Sequence, residues 1–317
     1  MIQGGARQGP RVGVALCGAE LAGVAHAGVL CALEELGIRI DHVAGSSSGS
    51  LVAALYAHGY RYADFQKMVQ RFPGIRLSDY GFPVASSVFN LLRTVTGRGT
   101  LPVPNGLLRG HKLLTYIRNL LADRKPRMNY SLVATDLYST KAVVFTNHAE
   151  TIEQGDAYRS TDVPREVLGS CAMPGMLTPV PLRGWLLVDG GVRDIVPVQA
   201  LRSAGCDRII AIDVHQLPAT WRAVTTVDVI ARSMATLLDE AKQASDLAGN
   251  DVLVLRPDIE WTSWWTARQP MAHNLHTSRM YTYQQANELI EFLHGFPPLS
   301  ISNRRPPASS SLRIHIR

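Results

Sequence analysis

The chain has 317 residues, of which 46% are hydrophobic and 18% are charged. This composition excludes a wholly disordered protein, and the length suits two domains or one large α/β unit. The net charge is +6, and residues 61–128 hold twelve Lys or Arg side chains against three acids. No stretch of about 18 apolar residues occurs and residues 1–11 contain no apolar core, which predicts neither a spanning helix nor a secretory signal. We therefore expect a cytoplasmic protein, with contact at the inner membrane face as an option.

The cysteines and the other metal-binding residue types indicate no cofactor. The four cysteines include no CxxC pair and lie in apolar stretches, a pattern typical of reduced and buried thiols. No His, Asp or Glu cluster has the spacing of metal ligands. The basic residues by themselves are most often a solvated surface, and nothing else in the sequence indicates a nucleic-acid partner. We expect neither a metal nor a nucleic acid.

The first sixty residues alternate between strand and helix patterns. Residues 11–17 predict a strand, 24–37 a helix, 38–45 a second strand and 48–58 a second helix. Further strands are predicted at 131–136, 142–147, 185–189, 208–214 and 251–257, and further helices at 61–72, 111–122, 224–247 and 274–294. Such alternation is typical of an α/β fold with a mostly parallel central sheet between helices on both faces, which makes three layers.

Composition also divides the chain. Residues 1–10 predict an N-terminal arm, 11–298 a single α/β domain and 299–317 a disordered basic tail rich in Ser and Pro. Within the domain, residues 73–110 are rich in Gly and Pro and have little periodicity. A segment of this length without regular structure is commonly a functional loop, so we interpret it as lid-like.

A short glycine-flanked serine motif follows the second predicted strand. Gly45-Ser46-Ser47-Ser48-Gly49 fits G-x-S-x-G and immediately precedes a predicted helix. A strand, a tight turn and a helix in this order form the setting of a nucleophile elbow, in which the central serine stands at a helix N-terminus. The alternative is a Ser-rich turn that only caps the helix. The context favours Ser47 as a nucleophile.

A serine nucleophile needs a base, and the sequence offers two kinds of candidate. Asp189 ends the predicted strand WLLVD and is followed by Gly190 and Gly191, which places a carboxylate at the ligand-binding edge of the sheet. A histidine from a catalytic triad is the alternative, although none of the candidates lies in a loop with an acid partner. These histidines are His215, His273, His276 and His294.

Together these motifs resemble the patatin-like phospholipase family. The resemblance runs from about residue 11 to about residue 292 and includes VALCGAELAGVAHAGVL, GSSSGSLVAALYAHG, SLVATDLYSTKAVVFTN, GSCAMPGMLTPVP and WLLVDGGVRDIVPV in family order. It implies a Ser-Asp dyad lipid acyl hydrolase that uses no metal. By position, Ser47 corresponds to the nucleophile and Asp189 to the general base of the DG[GA] motif.

One loop departs from the family pattern. Members of the family carry a G-G-x-R-G loop after the first strand, whose N–H groups form the oxyanion hole. Here residues 17–23 read CGAELAG. Only Gly18 and Gly23 of the family's glycines are kept, Ala22 replaces the arginine, and Glu20 introduces an acid. We expect Gly18, Ala19 and Ser48 to supply the oxyanion donors and Glu20 to point outward.

The resemblance implies a hydrolase of phospholipids or other acyl esters, of the phospholipase, lysophospholipase or carboxylesterase type. The altered loop leaves open a catalytically weak scaffold that binds lipid or a protein, and the histidines leave open a triad esterase. Apolar residues among the arginines of the lid-like segment, together with three tryptophans, suggest contact with an anionic membrane. These residues are Phe82, Phe89, Leu91, Leu92, Arg76, Arg93, Arg98, Arg109, Trp261, Trp264 and Trp265.

Overall fold

A computed structural model describes residues 9–80, 96, 106–155, 157–214, 226–243, 247, 249–260, 262 and 267–294. Nearly all of the predicted N-terminal arm, most of the lid-like segment and the whole tail 299–317 lie outside the described residues. The helices and strands are β1 (Val12–Leu16), α1 (Val24–Glu35), β2 (His42–Ser46), α2 (Ser48–Ala57), α3 (Tyr62–Gln70), β3 (Gly106–Leu108), α4 (His111–Leu121), β4 (Asn129–Asp136), β5 (Ala142–Thr146), α5 (Ala149–Glu153), β6 (Tyr158–Arg159), α6 (Val163–Ser170), β7 (Gly175–Leu177), β8 (Val180–Leu182), β9 (Trp185–Val188), α7 (Val198–Ser203), β10 (Arg208–Ile212), α8 (Thr226–Gln243), β11 (Val252–Leu255), α9 (Arg268–Gln284) and α10 (Ala286–His294).

Five parallel strands form the centre of the main sheet, in the order β11-β10-β1-β2-β4. Their side chains are almost all buried, as expected of strands covered on both faces. β5 joins β4 in the antiparallel direction, and β9 pairs antiparallel with the end of β4 beyond the last residue of β2. The sheet is therefore mostly parallel, as the sequence predicts.

Helices cover both faces of this sheet, as two glycines of neighbouring strands demonstrate. A Cβ on Gly45 would lie 2.2 Å from the carbonyl oxygen of Gly49 in α2, whereas a Cβ on Gly13 would lie 3.1 Å from Leu201 in α7. Gly45 pairs with Leu16, which is three residues from Gly13 in β1 and so points to the opposite face. Hence α2 and α7 lie on opposite sides of the sheet, and the predicted three-layer α/β fold is confirmed.

The described ends of the lid-like segment are joined to each other. The Asp79 carboxylate accepts hydrogen bonds from the backbone N–H groups of Gly110 (2.9 Å) and His111 (2.7 Å), at the start of α4. Tyr80 also forms an isolated antiparallel bridge with Leu108. A carboxylate at a helix N-terminus is favoured by the exposed N–H groups there, so Asp79 fixes where the segment leaves and rejoins the domain.

None of the described helices is both long enough and apolar enough to cross a bilayer. The four cysteines are free thiols, as predicted, although only Cys17 and Cys31 are fully buried while Cys171 and Cys206 are half-buried.

Candidate active site

Ser47 forms a one-residue turn between β2 and α2. Its φ is 52° and its ψ is −126°, a left-handed conformation that is costly for a residue with a side chain. The flanking glycines allow the turn to pack tightly, because a Cβ on Gly49 would lie 2.3 Å from the carbonyl oxygen of Leu16. The sequence thus places a strained serine at the carboxyl edge of the parallel sheet, in front of a helix N-terminus.

Hydrogen bonds from neighbouring elements hold this turn. The backbone N–H of Ser47 donates to Ser170 Oγ (2.9 Å), and Ser170 Oγ in turn donates to the carbonyl oxygen of Val133 in β4 (2.5 Å). Ser50 Oγ donates to the carbonyl oxygen of Ser47 (2.6 Å). These bonds connect the strained residue to β4 and to the end of α6, which keeps the direction of its side chain fixed.

The side chain of Ser47 points at the carboxylate that follows β9. Ser47 Oγ donates to Asp189 Oδ2 at 2.6 Å, and the other carboxylate oxygen accepts the backbone N–H of Gly191 at 2.8 Å. The backbone of Asp189 is fixed as well. Its N–H donates to the carbonyl oxygen of Ala172, and its own carbonyl oxygen accepts a hydrogen bond from Thr135 Oγ1, each at 2.9 Å. The structure therefore brings together the two side chains that the sequence predicts as nucleophile and base.

The environment of Asp189 disfavours its charge. The residue is 3% exposed, and this burial raises the pKa of its carboxyl to about 6, against the opposing effect of the hydrogen bonds from Ser47 and Gly191. The negative charge of Glu20 also contributes to raising this pKa. A carboxylate with a pKa near 6 is a stronger base than an ordinary aspartate and is still ionised at neutral pH.

The two glycines after Asp189 allow its loop to pack against the nucleophile turn. A Cβ on Gly190 would lie 2.1 Å from the carbonyl oxygen of Val133 and 2.6 Å from Ser46 Oγ. Gly191 provides the N–H that binds the Asp189 carboxylate. Any larger residue at position 190 would separate the turn that carries Asp189 from β2 and β4.

The loop after β1 differs from expectation. The Gly18 N–H donates to the carbonyl oxygen of Ile195 (3.2 Å), and the Ala19 N–H donates to Ser48 Oγ (3.0 Å). Both predicted oxyanion donors are therefore occupied by acceptors of the protein itself. The Ser48 N–H lies in the first turn of α2, where the helix offers it no acceptor, so its role as an oxyanion donor stays a prediction.

Glu20 is exposed as a whole residue, but its carboxyl is desolvated by the surrounding protein and its charge reaches Asp189, so the expectation that Glu20 points outward holds only in part. Its φ is 46°, so this position has the left-handed backbone that favours glycine. The surrounding protein raises the pKa of the Glu20 carboxyl through desolvation. The Glu20 carboxyl is near enough to Asp189 for its charge to raise the pKa of Asp189.

Of the four histidines considered as alternative bases, three lie in the described residues, and Ser47 Oγ is bonded to Asp189 rather than to any of them. His276 is exposed on α9. His273, on α9, has its Nε2 atom 3.6 Å from Glu260 Oε1, and His294 ends α10. His215 lies outside the described residues. A different histidine, His26, is buried near the loop after β1, but it is bonded to the carbonyl oxygen of Cys17 (2.8 Å) and burial lowers its pKa to about 4.

Sequence reasoning gave Ser170 only as part of a segment, residues 170–174, that resembles the family's pocket turn or has a packing role, and it assigned no role to Thr135, although both residues hold the site together. The only signal was the position of Ser170 within GSCAMPGM, one of the segments that carry the family resemblance. Among the described residues, no group of three His, Cys, Asp or Glu side chains could hold a metal ion.

A serine in a strained turn between a parallel strand and a helix, bonded to a buried carboxylate, defines an α/β protein with a nucleophile elbow. The chain belongs to the patatin-like phospholipase family, because the family model described as "Patatin-like phospholipase" matches residues 14–202, more than half of its length.

Two curated relatives each match about two thirds of this chain. The chain is 29% identical over 212 residues to "Lysophospholipase NTE1" of Candida glabrata, which covers 65% of this chain and 10% of the relative. It is also 29% identical over 211 residues to an uncharacterized NTE family protein of Mycobacterium tuberculosis, covering 65% of this chain and 49% of that one. The chain thus spans between about a tenth and a half of the length of these relatives.

Two solved structures are similar at low identity. VipD from Legionella pneumophila has a TM-score of 0.42 and 13% identity, covering 89% of this chain and 67% of VipD. Human GIVD cytosolic phospholipase A2 has a TM-score of 0.44 and 12% identity, covering 90% of this chain and 59% of that one. Both TM-scores are below 0.5, so the fold assignment rests on the strand order of this chain.

Proposed function

We propose that this protein is a serine lipid acyl hydrolase that cleaves carboxylic ester bonds with a Ser47–Asp189 dyad. The observation that carries the proposal is the 2.6 Å hydrogen bond from Ser47 Oγ to the buried carboxylate of Asp189. A serine hydroxyl is a weak nucleophile until a nearby base takes its proton, and this geometry offers that base within direct reach.

The acylation step uses both residues. Asp189 Oδ2 accepts the proton of Ser47 Oγ while Ser47 Oγ forms a bond to the ester carbonyl carbon. The carbonyl oxygen becomes an oxyanion, and the tetrahedral intermediate then collapses as the bond to the leaving alkoxide breaks. Asp189 returns its proton to that leaving oxygen, and the acyl group stays on Ser47. The alcohol product, such as a glycerophosphoryl compound, departs.

Deacylation repeats this sequence with water as the nucleophile and Ser47 Oγ as the leaving group. A water molecule gives its proton to Asp189 Oδ2 as its oxygen attacks the acyl-enzyme carbonyl carbon. The second tetrahedral intermediate releases Ser47 Oγ, which regains the proton from Asp189, and a free fatty acid leaves. One carboxylate with a pKa near 6 can act as base and then as acid in each half of this cycle.

The Ser48 N–H is the proposed oxyanion donor, because it lies at the positive end of α2 directly after Ser47. The Ala19 N–H joins it when the Ser48 hydroxyl rotates away from its present position. The side chain of Ser48 thus controls one of the two donors.

The substrate class follows from the relatives. Those named lysophospholipases support an acyl ester of a phospholipid or lysophospholipid as substrate. We include contact with an anionic membrane at the inner face in the proposal, since such substrates are presented at an interface.

A catalytically weak scaffold that binds lipid or a protein partner is the second candidate. The observation in its favour is that Gly18 and Ala19 already donate to Ile195 and Ser48. A site with fewer free donors stabilises an oxyanion less.

A fluorophosphonate probe separates the two candidates, because it forms a bond only with an activated serine. We expect peptide mass spectrometry to find the adduct on Ser47, with loss of labelling in Ser47→Ala and full labelling in Ser203→Ala, an exposed serine on α7. A labelled enzyme would then be assayed for fatty-acid release from a panel of phospholipids and lysophospholipids. Absence of labelling in the folded wild-type protein would favour the scaffold.

A further inference from the structure

A pocket lies away from the dyad, at the other end of α2. Its volume is about 470 Å³, and it is lined by His58, Asp123, Arg124, Lys125, Pro126 and Arg127. Five of these residues belong to the connection between α4 and β4, and the sixth follows the end of α2. The catalytic proposal uses none of them.

The pocket is at the opposite edge of the sheet from Ser47. Ser47 precedes the first residue of α2, whereas His58 follows its last residue, so the ten residues of the helix separate them by about 15 Å. The connection that forms the pocket leads into the start of β4, which runs parallel to β2. It therefore lies at the amino edge of these strands, while the dyad lies at the carboxyl edge.

Three cations surround this pocket against one acid, Asp123. Arg124 is the best anchored, since it lies 3.5 Å from Asp64 and its guanidinium stacks on the ring of Tyr60, 4.2 Å from the centroid. Neither Lys125 nor Arg127 forms an ion pair with any acid in the described ranges of the chain. Both are exposed, so their charges are available to an anion that enters the pocket.

The backbone of Arg127 is held in place before any ligand binds, and its side chain lies against Gly59. Its N–H donates to the carbonyl oxygen of Ala57 at the end of α2 (2.7 Å). Its side chain packs against Gly59, where an added Cβ would lie 3.0 Å from Arg127 Nε. Gly59 has a φ of 87°, a backbone that favours glycine and leaves the space that this guanidinium occupies. An arginine fixed in this way loses less freedom on binding than a mobile one.

We propose that this pocket binds a phosphate-bearing anion of the phosphomonoester class. Two guanidinium groups and an ammonium group match phosphate oxygens with charge-assisted hydrogen bonds, and arginine can bind them in a bidentate manner. The volume accommodates a small phosphorylated compound or a lipid headgroup. The anion is bound at the edge opposite the dyad, so it is a separate ligand from the ester that is hydrolysed.

Isothermal titration with glycerol 3-phosphate at low ionic strength tests the soluble source. We expect saturable binding that weakens at least tenfold in the double variant Lys125→Ala/Arg127→Ala. That variant keeps the backbone N–H of residue 127 and its bond to Ala57, and circular dichroism will verify that it folds. The matched control is Lys112→Ala/Arg118→Ala, which removes the same charge from two exposed cations of α4 that do not line the pocket and is expected to bind as the wild type does.

Cosedimentation tests the lipid source, with vesicles of phosphatidylcholine containing phosphatidic acid against vesicles of phosphatidylcholine alone. If the ligand is a headgroup, the phosphatidic acid vesicles bind the pocket variant more weakly than the wild-type and control proteins, and glycerol 3-phosphate removes that difference. The Ser47→Ala background keeps substrate turnover out of both assays, so a failed catalytic proposal leaves this result interpretable. Binding in neither assay, or equal weakening in the control, would overturn the proposal.

Discussion

At Asp189 a carboxylate is almost fully removed from water, and its two oxygens are bonded to Ser47 and to the N–H of Gly191. The cost of burying the charge exceeds the gain from these bonds, so the pKa rises to about 6. The same burial that disfavours the charge makes the ionised form more basic. The residue can therefore take a proton from a serine at neutral pH without a histidine.

The acid limb of the pH profile reports this pKa. Because the base must be ionised, kcat/KM should fall as the pH decreases through about 6. Glu20→Gln removes a negative charge that raises the pKa of Asp189, so the limb should move to lower pH. The measurement is kcat/KM for a soluble short-chain ester across the pH range. Glu153→Gln, an exposed acid on α5, is the matched control, and an unchanged limb in Glu20→Gln would contradict the assignment of Asp189.

Among the elements, β2 and α2 pack unusually closely. Gly45 and Gly49 face each other across the nucleophile turn, and Gly49 lies against the carbonyl oxygen of Leu16 at the end of β1. All of these contacts are with backbone, which cannot rotate aside as a long side chain can. The strained φ of Ser47 is maintained by this packing rather than by the turn alone.

The change Gly49→Ala should therefore destabilise the domain by about 3 kcal/mol or more, since the added methyl group meets backbone at 2.3 Å. Thermal unfolding followed by circular dichroism measures the effect. Gly184→Ala is a suitable control because its Cβ meets nothing within 4 Å, so only its positive φ adds a cost, of about 1–2 kcal/mol. Equal losses in the two variants would show that packing around the nucleophile turn is not as close as described.

Long elements with clear periodicity could be predicted from the sequence, and short ones could not. The predicted strand 11–17 and helix 24–37 agree with β1 and α1 to within two residues. Strands β3, β6, β7 and β8 have only two or three residues, too few to show alternation. The helix predicted at 274–294 is two helices, and the first begins at Arg268 because Pro270 is tolerated in a first turn.

The same division applies to the site. Ser47 and Asp189 each follow a predicted strand, which is the signal that the sequence offers. Their proximity does not follow from parallel strands alone, because β9 runs antiparallel to β4 and brings Asp189 back along β4 toward the residue that pairs with the end of β2. The partners of the Gly18 and Ala19 N–H groups depend on one side-chain rotamer and one loop approach, at Ser48 and Ile195. Neither the rotamer of Ser48 nor the approach of the loop at Ile195 leaves a pattern in the sequence.

At the scale of the whole molecule, two neighbouring exposed apolar side chains of the described residues lie near the carboxyl edge of β4. Leu137 and Tyr138 are 44% and 72% exposed in the connection from β4 to β5, and Lys141 in the same connection is also exposed. The Leu137 N–H donates to the carbonyl oxygen of Leu186 in β9, which is three residues before Asp189. This surface, residues 137–141, is on the same side as the dyad. Of the residues considered for membrane contact from sequence, Arg76 and Arg109 are described and both are exposed. The others lie outside the described residues: Phe82, Phe89, Leu91, Leu92, Arg93, Arg98, Trp261, Trp264 and Trp265.

We expect Leu137→Ser/Tyr138→Ser to weaken binding to vesicles of phosphatidylcholine and phosphatidylglycerol, because tyrosine and leucine insert at the headgroup level. Turnover of a soluble short-chain ester should stay unchanged. Cosedimentation over a range of salt concentrations measures the binding, which should also weaken as salt rises. Leu237→Ser, at an exposed leucine on α8, is the control. Unchanged vesicle binding in the double variant would remove residues 137–141 from the membrane surface.

The central claim is that Ser47 and Asp189 act as one unit, and a double-mutant cycle tests it most directly. The measurement is kcat/KM for fatty-acid release from lysophosphatidylcholine by the wild type, Ser47→Ala, Asp189→Asn and the double variant, each verified as folded by circular dichroism. We predict that each single change reduces the rate on the order of a thousandfold and that the double variant is little worse than either. Near-full activity in Asp189→Asn, or losses that multiply in the double variant, would contradict the dyad.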